Sequence, residues 1–229
     1  MCDTLSPMEY NIVLKKLESL QNPKNVLGMA RFGIRPKTKV YGIPIPELRN
    51  IAKQIGKNHD LALKLWDSKI HESRLLAGFI DEPEKVTEKQ FKKWVGDFDS
   101  WDICDQVCGN LFDKTDFAYK KVFELARKKP EFVKRTAFTL MACLAVHQKS
   151  MSNEDFMRFF PLIKKESVDA RNFVKKAVNW ALRQIGKRNK YLRKKALILA
   201  EEILKIDSKS AQWIAKDALR ELTNLNTKK

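Results

Sequence analysis

The chain has 229 residues, 44% of them hydrophobic, which is enough to bury a substantial core and excludes a disordered polypeptide. A formal charge of +17 is more than solubility requires and adds self-repulsion, so an anionic partner is expected, nucleic acid first and a membrane surface second. Four cysteines (Cys2, Cys104, Cys108, Cys143) and three scattered histidines (His59, His71, His147) lack metal-ligand spacing, no apolar run reaches the roughly 20 residues of a membrane span, and the charged first residues do not read as a signal peptide.

In chain order, Ser6 caps a first helix that runs to Leu20, with Pro7 at its first position and Ile12, Leu14, Leu17 and Leu20 on one side. Asn22-Pro23 interrupts it, and a short helix follows from Asn25 to Arg31. Gly33 to Val40 reads as a loop, and Pro44 and Pro46 lead into a helix that ends near Gly56. Helices are then predicted at His59–Trp66, Lys69–Phe79, Thr87–Trp94, Trp101–Phe112, Asp116–Lys128, Glu131–His147, Ser152–Lys165, Ala170–Gly186, Tyr191–Leu204 and Ser208–Asn224. The alternation that a sheet needs is absent. Phe132-Val133-Lys134-Arg135-Thr136-Ala137 is echoed by Phe173-Val174-Lys175-Lys176-Ala177 and more weakly by Trp213-Ile214-Ala215-Lys216. An interval of about 40 residues is that of HEAT and armadillo helix pairs. The expected fold is therefore an all-α, right-handed α-solenoid of HEAT-like helix pairs, one domain over residues 1–229, with a concave basic face.

Two stretches carry candidate function. In Phe98 to Gln106, Asp99 or Ser100 can cap a helix starting at Trp101. Trp101 and Asp105 then stand one turn apart, off the core stripe of Ile103, Val107 and Leu111. Spacing alone leaves open a partly buried Trp101 beside a locally bonded Asp105. The second stretch, Arg171 to Lys195, holds ten Lys or Arg and no acid. Its core stripe is Val174, Val178, Ala181, Leu182 and Ile185, while Lys176, Trp180, Arg183 and Lys187 gather opposite. Trp180 either packs on a neighbouring helix or is presented to a nucleotide whose phosphates the cations hold. Arg135 lies off the core side of its helix near the small residues Thr139 and Ala142, where a phosphate backbone could approach.

Together these residues resemble the AlkD-like DNA alkylation repair family of HEAT-like repeat proteins. The carriers are Asn22-Pro23 with Met29-Ala30-Arg31-Phe32, then Trp101-Asp102-x-x-Asp105, then Arg135-Thr136-Ala137, and then Phe173-Val174-x-Lys176-Ala177-x-x-Trp180-Ala181-Leu182-Arg183. The resemblance implies a monofunctional DNA glycosylase that removes cationic N3- and N7-alkylated purines without flipping the base into a pocket. It assigns Asp105 as the catalytic carboxylate, Trp101 and Trp180 as aromatic walls at the deoxyribose, and Arg135 as a phosphate contact. Lys176, Arg183, Lys187 and Phe32 complete the expected DNA-binding set. The chain departs from the family pattern at Phe32, where the pattern has tyrosine, and at Ser100, where it has a second tryptophan. The expected partner is double-stranded DNA with alkylated bases, bound by a monomer in the cytoplasm (at the nucleoid in a prokaryote), with no metal or cofactor. The alternatives are a non-catalytic HEAT-repeat protein that binds damaged or branched DNA, and a HEAT-type protein scaffold.

Overall fold

The computed structural model of the protein describes residues 7–224, with side chains from residue 10 onward. The Ser6 cap and Cys2 lie outside the described residues. Among the described residues the elements are fourteen α-helices and two short 3-10 turns, and an isolated parallel bridge between Lys39 and Ile70 takes the place of any strand. The contacts gather into two compact units, Met1–Thr115 and Asp116–Lys229.

The N-terminal unit contains α1 (Pro7–Ser19), α2 (Pro23–Arg31), α3 (Ile45–Ile55), α4 (His59–Asp67), α5 (His71–Ile80), α6 (Glu88–Asp97) and α7 (Trp101–Asn110). Asn22 caps α2 by accepting from the Asn25 amide at 3.2 Å, and Pro23 takes the first turn, where no N–H is missed, so α2 starts two residues earlier than periodicity suggested. α5 is buried along its whole length and forms the centre of the unit. Trp66 and Trp94 stack in the core with centroids 3.9 Å apart and planes 3° from parallel, and the Trp66 indole donates to Asp97 at 2.8 Å. α7 stops at Asn110, short of the expected Phe112, and a 3-10 turn, Phe112–Lys114, closes the unit.

The C-terminal unit contains α8 (Ala118–Leu125), α9 (Glu131–His147), α10 (Asn153–Met157), α11 (Phe160–Glu166), α12 (Asn172–Arg188), α13 (Lys190–Leu204) and α14 (Lys209–Asn224). The helix expected over Ser152–Lys165 is broken in two, because Pro161 in the first turn of α11 cannot continue the hydrogen-bond ladder of α10. The long helices α9, α12 and α14 carry the three sequence echoes, and α12 packs between the other two. Polar bonds between successive repeats keep a common offset. Arg135 donates to the Phe173 carbonyl, Asn179 to Asp217 at 2.7 Å, and Arg183 to Glu221, each 38 residues on. The echoes, about 40 residues apart in the sequence, thus lie on helices that are joined by polar bonds at a constant 38-residue offset.

Candidate nucleic-acid interface

In the N-terminal unit the start of α7 is held from three sides. The Lys37 amide donates to Asp99 Oδ2 at 2.7 Å, and the Trp101 indole donates to the Phe32 carbonyl at 3.0 Å. The third hold comes from the carboxylate of Asp102. Ser100 occupies the N-cap position, but its hydroxyl donates to Asp102 Oδ1 at 2.6 Å instead of capping the helix amides. Asp102 Oδ2 meets His71 Nε2 at 2.8 Å. Burial opposes an imidazolium at His71, but the hydrogen bond and charge of Asp102, with Glu72 and Asp99 behind, outweigh it and hold the His71 pKa above its ordinary value. Burial likewise opposes the Asp102 carboxylate, yet His71 and Ser100 hold its pKa below the usual range. The two shifts describe one buried ion pair.

With α7 anchored in this way, Ile103, Cys104, Val107 and Cys108 fill the core, and Trp101 and Asp105 remain half-buried on the other side. The exposed guanidinium of Arg49 reaches Gln106 at 3.1 Å and Asn110 at 3.2 Å farther along the same helix. Glu72, also buried, accepts from the amides of Tyr41, Gly42 and Ile43 at 2.9, 2.6 and 3.4 Å and shapes the loop on which α2 rests. Beneath α2 lies a cleft of about 410 Å³ whose walls include Met29, Phe32, Ile34 and Leu75 and whose lining includes His71 and Asp102. Phe32 itself is exposed.

The C-terminal unit changes the expected roles of several cations. Arg135 is only 5% exposed, and its guanidinium donates to the Phe173 carbonyl. Thr139 and Ala142 beside it are buried as well, so no open small-residue face exists there. The physical reason is that α9 is covered all round from Arg135 to Ala145 by its neighbours, whereas the wheel reading gave it a solvent side. Arg183 and Lys187 are not bare cations either. Glu221 accepts from both, and Asp217 lies 3.5 Å from Arg183. Burial would raise the pKa of Glu221, but Lys187 and Arg183 hold it below the ordinary value. Arg171 is paired with Asp169 at 2.6 Å. Arg188 donates to the carbonyls of Ala145, Gln148 and Lys149 at 2.9, 2.7 and 3.0 Å, which caps the C-terminus of α9. The acid-free run is thus partly neutralised by acids distant in sequence. Lys176 is exposed, and Trp180 is half-buried beside the fully buried Val178, Ala181 and Leu182.

The structure therefore brings Trp101, Asp105 and Phe32 into one neighbourhood of the N-terminal unit. It places Trp180, Lys176, Arg183 and Lys187 along α12 and takes Arg135 inside. Sequence reasoning missed the His71–Asp102 pair, since nothing near either residue marks a partner 31 positions away.

The fold is that of the HEAT-like repeat proteins. A solved structure from a family described as related to the HEAT-like repeat DNA glycosylases, with affinity for branched DNA structures, superposes with a TM-score of 0.76. The superposition covers 93% of this chain and 94% of that one, at 20% identity. The sequence profile of the DNA alkylation repair enzyme family matches residues 13–222, and the chain belongs to that family. Among relatives, an uncharacterized protein of Listeria monocytogenes is 31% identical over 81 residues, 34% of this chain and 36% of the relative. One of Listeria innocua is 28% identical over 106 residues, 45% of this chain and 47% of the relative. The chain thus matches half or less of the length of these curated relatives.

Proposed function

We propose that the protein is a DNA glycosylase that excises cationic N3- and N7-alkylated purines, acting as a monomer on double-stranded DNA. The observation that carries this reading is Asp105, half-buried one turn from Trp101, on the side of α7 away from the core, in a member of the DNA alkylation repair enzyme family. An alkylated purine is already charged and leaves without protonation, so the protein needs no general acid. As the C1′–N bond breaks, the sugar becomes oxocarbenium-like, and a fixed carboxylate beside it stabilises that charge. A unit pair at about 4 Å is worth about 4 kcal/mol at an effective dielectric of about 20, roughly a thousandfold in rate. The electron-rich face of Trp101 adds about 0.5–2 kcal/mol. The same carboxylate can orient the attacking water. Trp180 is the aromatic that the C-terminal unit would bring to the DNA, with Lys176 holding phosphate.

The test is single-turnover release of 7-methylguanine and 3-methyladenine from duplex DNA by the wild type and by Asp105→Asn. Excision is expected to fall by roughly 10²–10³ while binding to undamaged DNA holds. Equal rates would remove Asp105 from the chemistry. A wild type that binds DNA and releases no base would favour the second reading, a non-catalytic protein for damaged or branched DNA, which the described affinity of the structural neighbour supports.

A further inference from the structure

We infer that the cleft beneath α2 binds an uncharged, flat, fused-ring heterocycle that carries a carbonyl group, the chemistry of a free oxopurine base. The cleft holds about 410 Å³, within the range of small-molecule sites. Met29, Phe32, Ile34, Ile43 and Leu75 give it apolar walls, which suit the faces of an aromatic ring. α2 lies over it without burying any of its own residues, so the protein does not close the space by packing. Gly28 lines the cleft too, in mid-helix, where glycine weakens the structure. Its backbone has no positive φ, and a Cβ there would meet nothing within 4 Å, so neither strain nor crowding calls for a glycine.

One buried polar atom selects the polar end of the guest. His71 lines the cleft and is 1% exposed. Its Nε2 is taken by Asp102 at 2.8 Å, and its Nδ1 has no hydrogen-bond partner among the described residues. A buried ring nitrogen left unpaired costs free energy, which a ligand that bonds to it recovers. Burial opposes the imidazolium, but Asp102, with Glu72 and Asp99 behind it, holds the His71 pKa above its ordinary value, so Nδ1 carries a proton and calls for an acceptor. The charges select an uncharged guest. A cation would meet the imidazolium, and an anion would meet Asp102 and Glu72, which line the same cleft. Lys24, also in the lining, is exposed, and solvent screens its charge. An apolar guest without an acceptor would leave the Nδ1–H unanswered, whereas a carbonyl on a flat ring system satisfies both the donor and the walls.

The experiment uses the full chain without DNA, at about pH 6, below the ordinary histidine pKa of 6.5. The probes are free 7-methylguanine, the base that excision would release, and quinazolin-4-one, which keeps the fused rings and the carbonyl without being a nucleobase. 2-Naphthoate and N-methylquinolinium serve as an anion and a cation of similar size. Ligand-observed NMR titrations give the affinities, and an imidazole proton–nitrogen correlation spectrum reports on Nδ1, with only three histidines to assign. At least one carbonyl probe is expected to bind with a Kd on the order of 10⁻⁴ M and to move the His71 Nδ1 signal, and the charged probes to bind at least about tenfold more weakly. Binding of 7-methylguanine alone marks a nucleobase site, and binding of quinazolin-4-one as well marks a site for the wider class. Gly28→Leu should fill the cleft and abolish binding without lowering the melting temperature, since leucine is the better helix former. His71→Gln keeps a donor for Asp102, loses the Nδ1–H and should weaken binding by roughly tenfold; if it fails to fold, Gly28→Leu decides alone. No binding of either carbonyl probe, equal binding of a charged probe, or binding that survives Gly28→Leu with the His71 signal unmoved overturns the inference. None of these outcomes bears on excision, which is read separately on alkylated duplex DNA.

Discussion

Replacing Asp102 with asparagine tests how the start of α7 is held. The substitution keeps the shape and removes the charge facing His71, with the two side chains 13% and 1% exposed and 2.8 Å apart. Leaving one member of a buried ion pair uncompensated costs about 3–5 kcal/mol, a large share of the roughly 5–15 kcal/mol that stabilises a typical domain. The cost depends on pH. The raised pKa of His71 means that its contribution is fully present below the ordinary histidine value of 6.5 and is lost as pH rises through the folded pKa. The lowered pKa of Asp102 means that its contribution is present above the ordinary value of 3.8 and is lost as pH falls through the folded pKa. Between those limits the pair is intact and Asp102→Asn should be most damaging. Once His71 is neutral, its ring N–H can still donate to the new amide oxygen, so the cost should shrink toward about 1 kcal/mol, that of one neutral hydrogen bond exchanged for a charged one. Urea unfolding followed by tryptophan fluorescence at about pH 5.5 and again at about pH 9.5, for the wild type and the variant, reads this directly. A loss below about 1 kcal/mol at the lower pH, or an equal loss at both, would refute the charged-pair account.

Four further outcomes are expected. Glu221→Gln should release Arg183 and Lys187 from their shared acid, raise affinity for duplex DNA and steepen its salt dependence by about one to two phosphate equivalents; an unchanged slope would mean that these cations do not face DNA. Lys176→Ala should lower the slope by about one, and Arg183→Ala should do less, because Arg183 is already engaged by Asp217 and Glu221. Trp180→Ala separates two roles: a drop in melting temperature with normal activity per folded molecule marks a packing residue, and slow excision with normal melting marks a DNA contact. Gly42→Ala should destabilise the N-terminal unit by at least about 1–3 kcal/mol in the same urea assay, since φ is +76° and the added Cβ would lie 2.4 Å from the Asn22 carbonyl oxygen.

The helices, most of their ends and the inward face of α7 and α12 follow from the sequence alone. Ile103 and Val107 recur on one side of α7, and Val174, Val178 and Ile185 on one side of α12, because a helix converts spacing into direction through local geometry. The repeat was legible for the same reason: similar local packing at an interval of about 40 residues leaves similar residues at that interval. Trp101 and Asp105 were legible as neighbours because four residues make one turn. What the sequence could not decide was which charges remain free and which faces remain open. Arg135 looked exposed on its own wheel and became buried once neighbouring helices covered α9 from every side. Arg183 and Lys187 stood in an acid-free run until α14 placed Glu221 against them, and His71 found Asp102 only when α5 and α7 packed together. Burial and Coulomb interaction depend on distance in space, and between residues tens of positions apart that distance is set by tertiary packing alone.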